Sequence, residues 1–237
     1  MTEANTATHP VAKPILPGDN ASLDRFLDGI AAAFHDTRLS RAFITEIDNT
    51  PPPYPSPTFN IPRIRRHIGP GITDAFAAGA ELVEAGDYSA LAVWETTAYR
   101  GKPFSETLRN VGPVREQWRM QVRVLKEKHI GFEAGTKQLK PFYHLGFLVR
   151  NPEVERVPGA LSAVMKPWLQ RAEAENVPVW LEATMERAVQ IYEHYGFRLV
   201  ETVRVGEGLR SAEGWPEEGG RGVCGYAMIY NQHLRAD

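Results

Sequence analysis

Cysteine is almost absent from this chain, which has Cys224 alone among its 237 residues. A single cysteine excludes a disulfide within the chain and is typical of a reducing compartment. Cys224 lies in an apolar stretch, which favours a packing role over a reactive thiol. No apolar run approaches the ~18 residues of a membrane-spanning helix. We therefore expect neither a disulfide framework nor a membrane partner.

Neither sign of charge is in excess, because 27 Lys and Arg stand against 29 Asp and Glu, for a formal net charge of −2. Without a basic excess there is no electrostatic reason to expect a nucleic-acid partner. The first residues, MTEANTATHPVAKP, lack the basic and apolar regions of a secretory signal. They predict a loose leader over residues 1–10 and a cytoplasmic protein.

What the chain does contain is an ordinary globular composition, with 43% hydrophobic and 24% charged residues. Residues 21–43 carry apolar side chains three and four apart, which predicts an amphipathic helix capped by Asp19, Asn20 or Ser22. The same criteria predict further helices over residues 71–85, 111–130, 159–174 (interrupted or kinked at Pro167) and 185–195 (capped by Thr184). Strands are predicted over residues 11–16, 88–94, 143–149, 177–183, 197–205 and 223–230.

The order of these elements is β, α, α, β, α, β, α, β, α, β, β. Such alternation predicts an α/β fold, in α+β terms a mixed sheet of about six to seven strands, with helices on both faces. We expect a single domain over residues 11–237. The proline-rich segment TPPPYPSPTFNIP predicts a loop, which either walls a pocket or lies on the surface.

The junction between the predicted strand 143–149 and the next helix contains Arg156-Val-Pro-Gly159. Glycine lets the backbone approach a ligand closely, and a helix N-terminus offers free N–H groups and a positive dipole end. Together these features suit a pyrophosphate. Many ordinary turns carry the same short pattern, so its context decides.

That context is given by two flanking motifs. Val149-Arg-Asn-Pro152 precedes the junction, and a later helix ends in IYEHYGF, from Ile191 to Phe197. Over about residues 143–197, and more loosely over 15–34 and 88–94, the chain resembles the GNAT superfamily of acyl-CoA N-acyltransferases. The resemblance implies a single GNAT-fold domain that uses acetyl-CoA as co-substrate and transfers the acetyl group directly to a small-molecule amine.

The resemblance also implies roles for particular residues. The end of the strand at Leu148 and Val149 would pair with the pantetheine arm like an added strand. Tyr192 corresponds to a tyrosine whose hydroxyl protonates the leaving thiolate, and its alternative is a core aromatic at helical spacing. The pyrophosphate would bind backbone amides of the loop and helix start, led by Arg156 and followed by Val157, Gly159, Ala160, Leu161 and Ser162.

Three positions depart from the family pattern. Leu161 stands where glycine or alanine is usual, Pro158 has no N–H to donate, and Met185 replaces a frequent asparagine. These departures leave two alternatives open. One is a GNAT-fold enzyme with other chemistry, such as O-acylation or an acyl-CoA-independent reaction, and the other is a non-catalytic binding module.

Transfer to an amine requires a group that takes its proton. His144 is the first candidate, since it lies on the strand before the junction and an ordinary histidine pKa suits the task. Its alternative is a packed, hydrogen-bonded strand residue. Glu182 and Glu95 rank next; Glu182 shares a strand face with Trp180.

The sequence does not determine which residues form the acceptor pocket. Trp94, Phe142 and Trp215, with the loop 51–62, are candidates for the wall of a pocket for a planar or hydrophobic amine, or for ordinary packing. Trp94, together with the carboxylates Glu95 and Glu182, is named as a candidate substrate-binding residue. No metal site is expected, and a homodimer is one possible oligomeric state.

Overall fold

The computed structural model describes residues 10–102 and 112–231. Outside this description lie the predicted leader through residue 9, the expected helix start at residue 111, and residues 232–237. The strands are β1 (Lys13–Pro14), β2 (Glu81–Ala85), β3 (Ala90–Glu95), β4 (Tyr143–Arg150), β5 (Val179–Ala183), β6 (Arg198–Val205) and β7 (Val223–Tyr230). The helices are α1 (Asn20–Phe34), α2 (Arg38–Ile47), α3 (Ile61–Ala77), α4 (Pro113–Ile130), α5 (Ala160–Ala174) and α6 (Glu186–His194).

All seven strands form one mixed sheet in the order β1-β2-β3-β4-β5-β7-β6. Neighbours are antiparallel except β4 and β5, which run parallel. Helices α5 and α6 pack on one face of the sheet, and α1 to α4 cover the other. The predicted single α/β domain with a mixed sheet and helices on both faces is therefore confirmed.

The alternation of side chains along the central strands divides the core between these faces. On β5, Leu181 packs toward α5 and α6, whereas its neighbour Trp180 packs toward α4 and β7. All six residues of β3 are buried. Each fully buried aliphatic or aromatic side chain contributes about 1.5–3 kcal/mol of transfer free energy. The period-two prediction for β5 is confirmed.

The predicted helix over residues 71–85 is correct only for residues 71–77, and both of its ends are wrong. Helix α3 begins ten residues earlier, after Asn60, whose side chain accepts a hydrogen bond from the Arg63 amide at 3.1 Å. Pro62 in the first turn fits there because its missing N–H is not needed. Residues 81–85 instead form β2, in a hairpin with β3 through a turn in which Gly86, Asp87 and Tyr88 have positive φ.

The predicted helix over residues 21–43 is two helices. The chain breaks at His35 to Thr37, where extended Thr37 (φ −78°, ψ 134°) precedes α2 and its hydroxyl donates to the Phe34 carbonyl at 3.1 Å. Asp19 caps α1 as expected. Helix α5 is not broken at Pro167, and Met185 rather than Thr184 is the N-cap residue of α6. The edge strand is shortened to β1.

The sheet opens in its centre, between β4 and β5. These strands pair only at Tyr143–Val179 and His144–Trp180, and beyond this point β4 continues to Arg150 beside β3 alone. A bulge at Gly146, between the pairs Trp94–Leu145 and Val93–Phe147, accompanies the divergence. A bulge bends its strand and re-aims the side chains beside it. One edge of β4 is consequently left without a strand partner.

Candidate active site

The opening between β4 and β5 forms a cavity of about 340 Å³, the crevice. Its walls come from β4 between Leu145 and Arg150, from Leu161 of α5, and from α6, including Ile191 and Tyr192. Leu148 and Val149 therefore lie where the sequence predicted, on the strand edge that has no partner. An extended chain can pair with such an edge through its backbone.

The N-terminus of α5 faces this region with free amides. Gly159 precedes the helix at φ +83°, a conformation that glycine adopts without strain. Among the described residues, the amides of Gly159, Leu161 and Ser162 have no hydrogen-bond acceptor. Unsatisfied amides at the positive end of a helix dipole bind anions. Three of the predicted pyrophosphate donors are thus available.

The other predicted donors are engaged differently. The Val157 amide donates to Ser89 Oγ at 2.9 Å, and the Ala160 amide donates to the Val157 carbonyl at 3.2 Å. These bonds fix the loop against the β2–β3 turn, where Val157 also packs on Gly86. Arg156 is exposed at the surface. The amides of Val157 and Ala160 therefore shape the loop and are not free to bind a ligand.

Tyr192 lies on α6 with its ring packed edge-on against Phe197, at 5.7 Å between centroids, and it lines the crevice. Among the described residues, no group hydrogen-bonds its hydroxyl. Burial raises the pKa of Tyr192 well above its usual range. The hydroxyl is consequently protonated at neutral pH.

A second cavity of about 180 Å³, the acceptor cavity, lies beside the crevice on the α2, α3 and α4 face. Its apolar wall includes Phe43, Ile47, Ile68 and Trp118. The two cavities share Phe34, Gly146, Phe147, Glu182 and Thr184. A group bound in one cavity can therefore meet a group bound in the other at this junction.

A buried polar network borders the junction. His144 Nδ1 lies 2.8 Å from Glu95 Oε2, and its Nε2 lies 3.0 Å from Glu182 Oε2. Glu182 Oε1 accepts from Trp180 Nε1 at 2.7 Å and lies 3.3 Å from Lys126 Nζ. His144 and Glu182, which contact each other here, both line the acceptor cavity. The sequence candidates His144, Glu95 and Glu182 are thus brought together.

The charges of this network determine its protonation. Burial and the Lys126 ammonium lower the pKa of His144, but Glu182 and Glu95 outweigh them and raise it to about 9. Burial opposes ionisation of Glu182, yet Lys126 and His144 hold the pKa of its carboxyl far below its usual range. At neutral pH the imidazolium therefore donates to both carboxylates, and a proton can be accepted only after His144 loses its own.

The aromatic candidates for the acceptor pocket lie elsewhere. Trp94 stacks on Trp168, with centroids 6.0 Å apart, and donates to the Val164 carbonyl at 3.0 Å in the core beneath α5. Phe142 packs beside Lys126, and Trp215 stacks on Tyr54. None of the three aromatic candidates lines either cavity. The apolar wall of the second cavity comes instead from α2, α3 and α4.

Sequence reasoning missed two charged residues of α4, although its pattern contained a signal for both. Lys126 lies one turn after buried Val122, and Arg115 lies one turn before buried Trp118. The 3.6-residue period places both charges on or beside the apolar stripe of the helix. A charge on such a stripe faces the protein interior.

In residues 10–102 and 112–231, no three His, Cys, Asp or Glu side chains are placed to hold a metal ion. Across the same ranges, no helix has the length and apolar character needed to cross a membrane.

Comparison with known proteins adds relatives in sequence and in structure. No family model matches the chain. The uncharacterized protein YDR391C of Saccharomyces cerevisiae is 26% identical over 156 residues, covering 64% of this chain and 61% of that protein. A putative increased recombination centers protein 11 of the same yeast is 26% identical over 91 residues, covering 38% of this chain and 58% of that protein. The matches thus span about three fifths of these relatives.

The solved structures that resemble this chain include several acetyltransferases. The histone acetyltransferase HPA2 and related acetyltransferase from Corynebacterium glutamicum superposes with a TM-score of 0.53 at 20% identity, over 93% of this chain and 95% of that one. An agmatine N-acetyltransferase gives 0.53 at 15% identity, over 93% and 98%. The C-terminal condensation domain of Ebony, in complex with beta-alanyl-dopamine, gives 0.55 at 12% identity, over 93% and 97%.

These likenesses cover nearly the whole chain and agree with the open seven-stranded sheet. The chain therefore has the GNAT fold, as the motifs from Val149 to Phe197 predicted.

Proposed function

We propose that this protein is an acetyl-CoA-dependent N-acetyltransferase that acts on a small-molecule amine by direct transfer. The observation that carries the proposal is the junction itself. There, a crevice with an unpaired strand edge and free helix amides meets a second cavity beside a buried proton-binding network.

The residues of the crevice fit acetyl-CoA, which supplies the acetyl group as a thioester when bound. The amides of Gly159, Leu161 and Ser162 would hold the pyrophosphate, and the β4 edge at Leu148 and Val149 would pair with the pantetheine amides. Arg156 is exposed and lies three residues before Gly159 in the sequence. Its side chain would approach the phosphates from solvent. Leu161 lines the crevice with its side chain, so the departure from the family pattern narrows the crevice without removing the donor.

Glu182 is the member of the network that lines both cavities, so it is the group that an acceptor amine would contact. An ammonium there would hydrogen-bond to the carboxylate and pass its proton toward His144 once His144 is neutral. Glu95 holds the other imidazole nitrogen, and Lys126 balances the charge of Glu182. His144 therefore acts as the proton acceptor through Glu182.

Tyr192 would serve as the acid. Tyr192 lines the crevice, and its hydroxyl has no competing acceptor among the described residues and keeps its proton because burial raises its pKa. The developing thiolate would take this proton, which stabilises the leaving group as charge forms.

The small acceptor cavity supports a small amine, since pockets for drug-sized ligands typically enclose about 300–1,000 Å³. The agmatine enzyme with the same fold acts on such an amine. The Ebony domain favours one alternative, because it is a condensation domain, solved in complex with beta-alanyl-dopamine. A GNAT-fold condensation or O-acylation reaction would use the same junction with a different acceptor.

A panel of small amines, alcohols and thiols, incubated with acetyl-CoA and scored by thiol release and mass of the product, tests this function. We expect N-acetylation of at least one amine, and a Glu182→Gln variant that binds acetyl-CoA but turns over slowly. Acetylation of alcohols alone would replace the proposal with O-acylation. Tight acetyl-CoA binding without turnover of any acceptor would indicate a binding module.

A further inference from the structure

Arg115 of α4 is a buried cation without an anionic partner. It is 8% exposed, its Nε is buried without a hydrogen-bond acceptor, and among the described residues no carboxylate pairs with its guanidinium. Glu46 lies near its backbone amide, at 3.4 Å, but the side chain of Glu46 pairs with Arg210. The cation therefore lacks the compensation that buried charges normally have.

The surroundings of Arg115 do not replace that partner. Burial and the nearby Arg119 lower the pKa of Arg115 to about 10, so it stays charged at neutral pH. The ring of Phe43 lies 5.4 Å from the guanidinium carbon and offers a cation–π contact. A ring face does not satisfy five N–H donors in a planar fork, which match a carboxylate.

Arg115 lines the acceptor cavity, and it does not line the crevice. Its missing anion is therefore a group of the acceptor and not a phosphate of acetyl-CoA. The same cavity contains Glu182, whose carboxylate suits an ammonium, and the wall around both is largely apolar. A single guanidinium balances the single charge of a carboxylate better than the charge of about −2 on a phosphate monoester.

We propose that Arg115 binds a carboxylate of the acceptor, so that the substrates of this enzyme are small amino acids whose amine lies at Glu182. The inference rests on the proposed function for the position of the amine, but not for the anion site at Arg115. A second cation on the acceptor is disfavoured, because Arg115 would repel it. Polyamines and guanidino-amines such as agmatine are therefore poor acceptors.

The test compares each amino acid with its own carboxamide. A series of α- and ω-amino acids of one to five methylenes, the matching amides and 1,4-diaminobutane are assayed for acetylation with wild type, Arg115→Met and Arg115→Lys. We expect the best acid to exceed its amide by at least about tenfold in kcat/KM in wild type. The ratio should fall to about one in Arg115→Met and be partly retained in Arg115→Lys. Equal use of acids and amides by wild type, or a preference that survives in Arg115→Met, would overturn the proposal.

Binding of the amino acids, measured without acetyl-CoA, tests the anion site independently of the reaction. Millimolar acids of the series should raise the melting temperature of wild type more than their amides do, and this difference should vanish in Arg115→Met. If no amine is acetylated but this difference is found, the proposed function fails while the anion site stands. If amides are acetylated as well as acids, the function stands and the anion site fails.

The melting temperature of the ligand-free variant gives a second check. Because Arg115→Met removes an uncompensated charge and keeps the volume, it should melt at or above the wild-type temperature. A fall of more than several degrees would mean that Arg115 already has a structural partner, and would overturn the proposal.

Discussion

Tyr192 is the residue whose chemistry is easiest to isolate, because its ring packs against Phe197 and the residue also lines the crevice. Tyr192→Phe keeps the packing against Phe197 and removes only the proton. We expect kcat to fall about 10²–10⁴-fold, the usual contribution of a positioned acid. Calorimetry should show nearly unchanged acetyl-CoA affinity. Unchanged turnover would assign Tyr192 to the core alone.

The role proposed for His144 predicts that the reaction rate depends on pH. Its pKa of about 9 means that it must lose a proton before it can accept one, so kcat/KM should rise with pH and level off above about 9. A His144→Gln variant should lose this limb and retain only the titration of the amine substrate itself. A rate that is flat from pH 6 to 10 in wild type, with an amine of low pKa, would contradict the role of His144.

The same shift affects stability. The pKa of His144 in the folded protein lies above the ordinary 6.5. Its contribution to the free energy of unfolding is therefore complete below about pH 6.5 and is lost as pH rises through about 9. The contribution is up to about 3 kcal/mol at the low end of this window. Urea unfolding from pH 6 to 10 should show that His144→Gln destabilises the protein most at pH 6. A difference from wild type that grows with pH would have the wrong sign.

At the scale of elements, the bulge at Gly146 controls the junction. A Cβ there would meet only the Val93 carbonyl oxygen at 3.8 Å and Glu95 Oε1 at 3.9 Å, so alanine fits the fold at a residue that lines both cavities. Gly146→Ala should melt within a few degrees of wild type, yet lose at least about tenfold in kcat/KM, because small misplacements of reacting groups are costly.

Gly69→Ala, in α3, is the matched control for Gly146→Ala. Its Cβ would also have ordinary contacts, at 3.9 Å from Leu27, and Gly69 lines neither cavity. Activity should be unchanged in this variant. Equal losses in both variants would show that the effect is structural and not local to the junction.

The elements also show which parts of the fold are readable in the sequence. The strands and helices from Tyr143 to Tyr230 follow from long apolar runs and a glycine turn. The hairpin of β2 was missed because the five residues ELVEA carry no periodicity that separates a strand from a helix end. Helix α3 was missed in part because Pro62, read as a loop residue, belongs to its first turn.

The candidate site also has one part that the sequence predicts and another that it does not. The residues of the crevice lie in contiguous motifs, so local patterns identify them. The wall of the acceptor cavity comes from three helices distant in sequence, and only the fold brings Phe43, Ile68 and Trp118 together. Of the aromatic residues chosen from the sequence, Trp94 packs in the core, and Phe142 and Trp215 are partly buried against the hydrophobic clusters, because packing satisfies an aromatic side chain as well as a pocket does.

For the whole molecule, the central feature is a sheet that is continuous at one end of β4 and β5 and open at the other. The hydrophobic clusters on both faces hold β3, β4 and β5 in place on either side of the opening. The opening therefore does not depend on a ligand to form. A ligand that inserts between the strands should add hydrogen bonds to the existing fold and stabilise it.

Thermal unfolding and calorimetry with acetyl-CoA, compared with acetyl-pantetheine, which lacks the pyrophosphate, test this account most directly. Saturation at about 100 times Kd adds roughly 2.7 kcal/mol, which for a domain of this size raises the melting temperature by roughly 5–10 °C. We predict such a rise with acetyl-CoA and binding at least about tenfold weaker for acetyl-pantetheine. No stabilisation by acetyl-CoA at millimolar concentration would contradict the account.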